Sequence, residues 1–281
     1  MRPNVVITGV STGIGLDAAR LLIERGYRVF GSVRSQVDAD RVGAALGPHF
    51  TPLLFDVTDE AAIATAAEKV RDAIGDEGLC ALVNNSGISG AGPLMHFPLD
   101  EMRKMFEVNV FGLLAVTQAF LPLLGARRDC PHPPGRIINI SSISGGLVFP
   151  FVGAYGASKH AVEALTDGLR RELGLYNIHV IAIEPGNIRT EFTANRRDVS
   201  VPAGDETYAA AVRKAVGLME RDEANGASAE KAAAAIEKVL SGERMPRRRT
   251  VGKLEERAGS FAKRLIPYRL FERAAKSSLG V

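Results

Sequence analysis

Tyr155 and Lys159 stand four residues apart in a stretch with helical patterning. That spacing puts both side chains on one helix face, with Cβ atoms about 5–6 Å apart. A phenol ordinarily ionises near pH ~10. An ammonium ~5 Å away at an effective dielectric of ~20 favours the phenolate by roughly 3 kcal/mol, just over two pKa units. The pair is therefore a candidate acid/base working close to neutral pH. Three further pieces keep a fixed order around it: Thr8-Gly9-Val10-Ser11-Thr12-Gly13-Ile14-Gly15, then Asn84-Asn85-Ser86-Gly87, then Pro185-Gly186-Asn187-Ile188-Arg189-Thr190. With Ser142 lying between the second piece and Tyr155, the set points to hydride transfer with a nicotinamide dinucleotide.

Gly9, Gly13 and Gly15 fall where a first strand turns into a first helix. Glycines there let the backbone approach a pyrophosphate, whose charge the helix N-terminus stabilises. Thr8, Gly9, Ser11, Thr12, Gly13, Ile14 and Gly15 are the candidate contacts. The second strand ends in Gly31-Ser32-Val33-Arg34. An NAD-selective site puts an acid about 20 residues past the glycines; here a guanidinium stands instead, which suits a 2′-phosphate. Arg34, with Ser32, predicts NADP(H) over NAD(H). Asp56, followed by Val57, is placed to accept from the adenine amino group, or else to cap a helix.

Positioning these groups requires a particular set of elements. Short Val/Ile-rich runs alternate with longer amphipathic ones, as in βαβ units with a parallel sheet. Strands are predicted at Val5–Thr8, Arg28–Ser32, Thr51–Phe55, Ala81–Asn84, Arg136–Ile140, Val180–Glu184 and Thr250–Gly252. Helices are predicted at Gly15–Arg25, Ala39–Leu46, Asp59–Ile74, Leu99–Leu124, Ala154–Leu175, Glu206–Arg221 and Ser228–Leu240, with Thr58 capping the third and Ser228 the last. The expected architecture is α/β: one doubly wound Rossmann-like domain over residues 1–252, a mostly parallel seven-stranded sheet with helices on both faces. A substrate lid is expected at about 187–226 and a C-terminal helical extension at 253–281.

The glycine spacing, Asn84-Asn85-Ser86-Gly87, Ser142, Tyr155-x-x-x-Lys159 and Pro185-Gly186 together resemble the short-chain dehydrogenase/reductase family over about residues 4 to 241. Ser86 departs from the alanine most often found there. The resemblance implies a catalytic tetrad of Asn109, Ser142, Tyr155 and Lys159. Tyr155 would exchange a proton with the reacting oxygen, and Ser142 (with Ser141 as the alternative) would hydrogen-bond it. Lys159 would also hold the nicotinamide ribose. Asn109 would kink the long helix and fix a water linking Lys159 to solvent. Asn85, Ser86 and Gly87 would wall the adenosine half, with Asn84 bracing the sheet. Pro185, Gly186, Ile188 and Thr190 would sit at the nicotinamide. The competing reading is a nucleotide-binding sensor or scaffold on the same fold; filled tetrad positions favour the enzyme.

Bulk composition narrows the partners. The chain has 281 residues, 46% hydrophobic and 24% charged, with a net charge of +3, too small to argue for nucleic acid. Cys80 and Cys130 read as free thiols of a reducing compartment. Cys130 and His132 make no metal site without further ligands. The apolar run Val110–Leu124 falls short of the ~20 residues of a span, and with no signal segment visible a cytoplasmic protein is expected. The loop Gly145–Phe151, with Met95, Phe97 and Phe192, predicts an apolar cleft for a hydrophobic carbonyl or alcohol: steroid-, retinoid- or lipid-like. Arg196 and Arg197 lie in the lid. Arg244, Arg247, Arg248, Arg249, Lys253, Arg257, Lys263, Arg264, Arg269, Arg273 and Lys276 make the tail basic, interleaved with Leu254, Phe261, Leu265, Ile266, Leu270 and Phe271. A helix folded onto its own domain is favoured there over contact with a membrane surface or with a partner subunit. By resemblance, the 99–124 and 154–175 helices build a homodimer or homotetramer.

Overall fold

The computed structural model describes residues 2–192, 195–199, 205–242, 246–262, 266, 267, 269, 270, 272 and 273. Its strands run β1 (Asn4–Ile7), β2 (Arg28–Val33), β3 (Phe50–Leu54), β4 (Ala81–Asn84), β5 (Gly90–Ala91), β6 (Arg136–Ile140), β7 (His179–Pro185), β8 (Ile188–Arg189), β9 (Arg197–Asp198), β10 (Ala227–Ser228) and β11 (Arg248–Val251). Seven of them form one sheet in the order β11-β7-β6-β4-β1-β2-β3. Every pairing in it is parallel. The order reverses between β1 and β4, which opens a crevice at the carboxyl ends of the strands.

Alternate residues of each strand feed two separate cores. Val5, Ile7, Val29 and Val83 pack with Ala18, Leu22, Val42 and Ile236 on one side. Those helical residues belong to α1 (Gly13–Glu24), α2 (Gln36–Leu46) and α8 (Ala229–Ser241). Val6, Phe30 and Leu82 pack with Ile63, Val70, Val116 and Phe120 on the other. That face is covered by α3 (Glu60–Ile74), α5 (Leu113–Phe120) and α6 (Gly153–Glu172), while α4 (Leu99–Phe106) packs through Met105 against Ala154 of α6. Burial on both faces is why the strands read as unbroken apolar runs. Further along, α7 (Glu206–Ala224) and α9 (Leu254–Ala262) follow β9 and β11. Phe120 is wholly buried. Phe120→Ala is expected to cost about 3–5 kcal/mol of stability, read from the denaturant midpoint.

Three local expectations change. Asp59, not Thr58, caps α3 by accepting from Ala62 N at 3.0 Å. Thr58 instead donates its N–H and hydroxyl to Asp56 Oδ1. Ser228 occupies the cap position of α8 but makes no side-chain cap bond. The run judged too short for a span belongs to a continuous helical body, Leu99–Leu124, of 26 residues, which contains an 18-residue window with a mean hydropathy of 1.5. By length and composition it passes as a span; in the fold, Val116, Phe120 and Leu124 are buried against the sheet. Of the tail residues, Arg244, Phe261, Lys263, Arg264, Leu265, Phe271 and Lys276 lie outside the residues or side chains described, as does the lid segment 200–204.

Candidate active site

Four loops meet at the carboxyl edge of the sheet, one after each of β1, β4, β6 and β7. The loop after β1 shows why it is rich in glycine. Gly9 and Gly13 take φ of +70° and +59°. A Cβ on Gly15 would lie 2.2 Å from Gly9 O and 2.5 Å from Asn85 Nδ2. Side chains are excluded there, leaving bare backbone. The N-cap residue of α1, Thr12, makes no side-chain cap bond, and no acid stands in the first turn. Uncapped first-turn N–H groups with the positive end of the helix dipole suit a pyrophosphate. The cradle therefore fits a dinucleotide.

Several sequence-nominated contacts are braces for this cradle. Thr8 Oγ1 accepts from Asn85 N and Ser86 N at 2.9 and 3.0 Å, while Asn85 Nδ2 donates to Thr8 O and Gly9 O, each at 2.9 Å. Ser32 is buried, and its Oγ accepts from Gly9 N at 2.9 Å. These three side chains lock the β1 exit to β4 and β2. Val57 is likewise buried, packed where a Cβ on Gly112 would meet it. Asn84 donates to Thr117 Oγ1 and Asn139 Oδ1, and Asn139 to Thr166 Oγ1, a polar chain through the sheet. Thr190 lies over the loop, 3.3 Å from where a Gly13 Cβ would be. Ile188 is buried in β8.

Arg34 is exposed at the end of β2. Beside it, Arg41 from α2 donates to Ser11 O at 3.0 Å and to Asp38 Oδ1 at 2.6 Å. Those bonds from Arg41, with that of Ser35, hold the Asp38 carboxyl below its ordinary range. Sequence reading did not single out Arg41. Its only signal was a helix position facing the glycine loop.

At the other end, Tyr155 and Lys159 share a face of α6, with Lys159 Nζ 5.8 Å from the centre of the tyrosine ring. Ser142 hydrogen-bonds the phenol, and burial pushes that phenol up to about 12, with Glu223 adding to the rise. Burial thus acts against the expected fall toward neutrality, because the phenolate is disfavoured once it is taken out of water. Lys159 is buried, donates to Ile140 O at 2.9 Å, and is pulled down to about 8 by burial, opposed by Glu163. Phe192 covers the tyrosine with ring centres 6.2 Å apart.

Asn109 lies in the wider helical turn Glu107–Gly112 between α4 and α5. Its Oδ1 accepts from Ile88 N, and its Nδ2 donates to Ile88 O and Ser158 Oγ. The amide thus ties the β4 exit to the start of α6. Of the expected cleft wall, Phe97 is a core residue packed with Met105 and Ala154. Leu147 is buried and Met95 exposed. Phe151 instead stacks edge-on with Tyr208 of α7, centres 6.0 Å apart.

Two groups from beyond β7 reach this region without any motif to announce them. Glu256 of α9 accepts from Asn187 N at 3.0 Å and from Lys253 N at 2.8 Å. It fills the space a Gly186 side chain would need. Arg248, counted from the sequence as part of a basic surface, turns inward from β11. It donates to Glu163 Oε2 at 2.6 Å and Asp167 Oδ2 at 2.9 Å.

A family profile described as short chain dehydrogenase matches residues 3–200. An NADPH-dependent 3-dehydrocapnine reductase from Ornithobacterium rhinotracheale is 42% identical over 219 residues, 77% of each chain. A 3-ketodihydrosphingosine reductase from Bacteroides thetaiotaomicron is 31% identical over 278 residues, 98% of each. Among solved structures, a short-chain dehydrogenase from Streptomyces avermitilis superposes with a TM-score of 0.81 at 28% identity, covering 99% of this chain and 98% of that one.

Proposed function

Because this chain belongs to the short chain dehydrogenase family, and is an oxidoreductase acting on a carbonyl or alcohol, we propose that it reduces a lipid-like ketone with NADPH. The observation carrying this reading is the Tyr155 phenol, bonded to Ser142, above Lys159 and beneath Phe192 at the glycine-loop edge. A bound dinucleotide would supply the hydride. Tyr155 gives its proton to the carbonyl oxygen as charge develops there. Ser142 donates a hydrogen bond to the same oxygen. Lys159 holds its ammonium under the phenol and offsets the charge left on it.

With burial holding the phenol at about 12, Tyr155 carries its proton throughout the neutral range. That is the form reduction needs; the reverse reaction needs the phenolate and is favoured by rising pH. Preference for NADPH rests on Arg34 at the end of β2 and gains from the NADPH-dependent relative. The choice of a lipid-like ketone rests on Phe192 beside the tyrosine and on the 3-ketodihydrosphingosine relative. Residues 187–226 act in this reading as the lid. Exposed Leu99 and Phe111 on the α4–α5 face are where a second copy would pack.

NADPH oxidation against 3-ketodihydrosphingosine, a ketosteroid and retinal tests it, with Tyr155→Phe as control. The long-chain ketone is expected to give the highest kcat/KM. No panel member consuming NADPH above the control, or a clear preference for the rigid ring ketone, would overturn it.

A further inference from the structure

We propose that Glu163 is a positioning residue for the reaction: the counter-charge that keeps Lys159 an ammonium, metered by how much of that charge Arg248 takes. The inference rests on the roles given to Tyr155 and Lys159 above.

Tyr155, Lys159, Glu163 and Asp167 recur every four residues along α6, so one face of the helix carries phenol, cation and two carboxylates in sequence. Lys159 and Glu163 are both buried. A buried ammonium is held in its charged form only by nearby opposite charge and hydrogen bonds. It donates a hydrogen bond to the uncharged Ile140 carbonyl. The groups facing it across the packing are the amide of Asn109 and the backbone of Gly87, whose Cβ would stand 3.6 Å from Lys159 Nζ. On its own helix, Glu163 is the next acid, and it acts to raise the lysine.

Space for that carboxylate is built in. A Cβ on Gly145 would stand 2.9 Å from Glu163 Cγ, 3.1 Å from Lys159 O and 2.8 Å from Ser141 Oγ. Only glycine lets the three lie together. Glu163 Oε1 and Ser141 Oγ are buried there without a hydrogen-bond partner among the described residues. The other oxygen, Oε2, is taken by Arg248 Nε. Arg248 is itself divided: Asp167 takes Nη2, and Glu184 Oε1 of β7 lies 3.5 Å from Nε, with Thr250 donating to Glu184 Oε2. Asp167 is shared between Arg248 and Arg170 of the same helix, so the Glu163 carboxylate lies between Arg248, which takes Oε2, and Lys159, and what Arg248 leaves of its charge favours a protonated lysine. Glu223 of α7, paired with Arg196, also acts on Tyr155 and stays constant across the variants below.

The test is the pH dependence of kcat/KM for reduction of the best panel ketone at saturating NADPH. Glu163→Gln removes the counter-charge, so the alkaline limb is expected to move down by about one pH unit. Glu163→Asp keeps the charge and restores it toward the wild-type position. Arg248→Met releases the carboxylate toward Lys159 and moves the limb up. A merely structural role would lower activity evenly at every pH. An unmoved limb in Glu163→Gln, or the same direction of movement in Glu163→Gln and Arg248→Met, overturns the proposal. Should one variant fail to fold by its thermal transition, the other decides alone. If Tyr155→Phe keeps its activity, the reading of the site fails; if Tyr155→Phe is dead and the limb stays fixed, only this inference does.

Discussion

Tyr155→Phe is expected to lose about 10²–10⁴ in turnover while binding the dinucleotide as the parent does. Proton transfer by a positioned side chain contributes roughly that range. The substitution removes one oxygen from a ring packed under Phe192 and beside Ala154, so the fold and the glycine cradle are left alone. Binding is measured by NADPH fluorescence titration and turnover by NADPH oxidation. A fall in both together would mean that the phenol is a structural support. The same phenol fixes the direction of pH effects. Held near 12 by burial, it stays protonated as pH rises through the neutral range, so the reductive rate is limited on the alkaline side by Lys159, whose ammonium is lost near 8. Alcohol oxidation should climb over the same interval. Equal pH profiles in the two directions would contradict the assignment of Tyr155 as the proton carrier.

The fold was legible because its strands are buried on both faces and its helices on one, two patterns that differ in period. What shifted were ends: Thr58 and Asp59 are both good caps, and only the backbone at residue 59 decides between them. The site was legible where spacing along one element carries the geometry, as for Tyr155 and Lys159, or where backbone conformation demands glycine, as at Gly9 and Gly15. It was not legible where groups meet across the sheet. Arg248 and Glu163 are 85 residues apart, and nothing local in Arg247-Arg248-Arg249 says which one turns inward; β11 pairing beside β7 does. The upward push that burial gives the Tyr155 phenol was hidden for a related reason. Spacing gives the distance to the cation, while desolvation depends on everything else packed around the ring.

Arg34→Leu is expected to lower kcat/KM with NADPH by roughly 10–100-fold and to leave the value with NADH nearly unchanged. A hydrogen bond to a charged group contributes about 1.5–3 kcal/mol, and the 2′-phosphate is the one place where the two cofactors differ. Arg34 is the better placed of the two arginines to supply it. Arg41 already spends its guanidinium on Ser11 O and Asp38, bonds that hold α2 against the glycine loop, so Arg41→Leu should weaken both cofactors together. Ser32 offers little of its own, since its hydroxyl oxygen supports Gly9 from below. Arg34→Glu should go further than Arg34→Leu, because a carboxylate repels the phosphate and can accept from the free 2′-hydroxyl of NADH. Steady-state kinetics with both cofactors on the three variants separates these effects. Equal losses for NADPH and NADH in Arg34→Leu would move the 2′-phosphate contact elsewhere on the rim of β2.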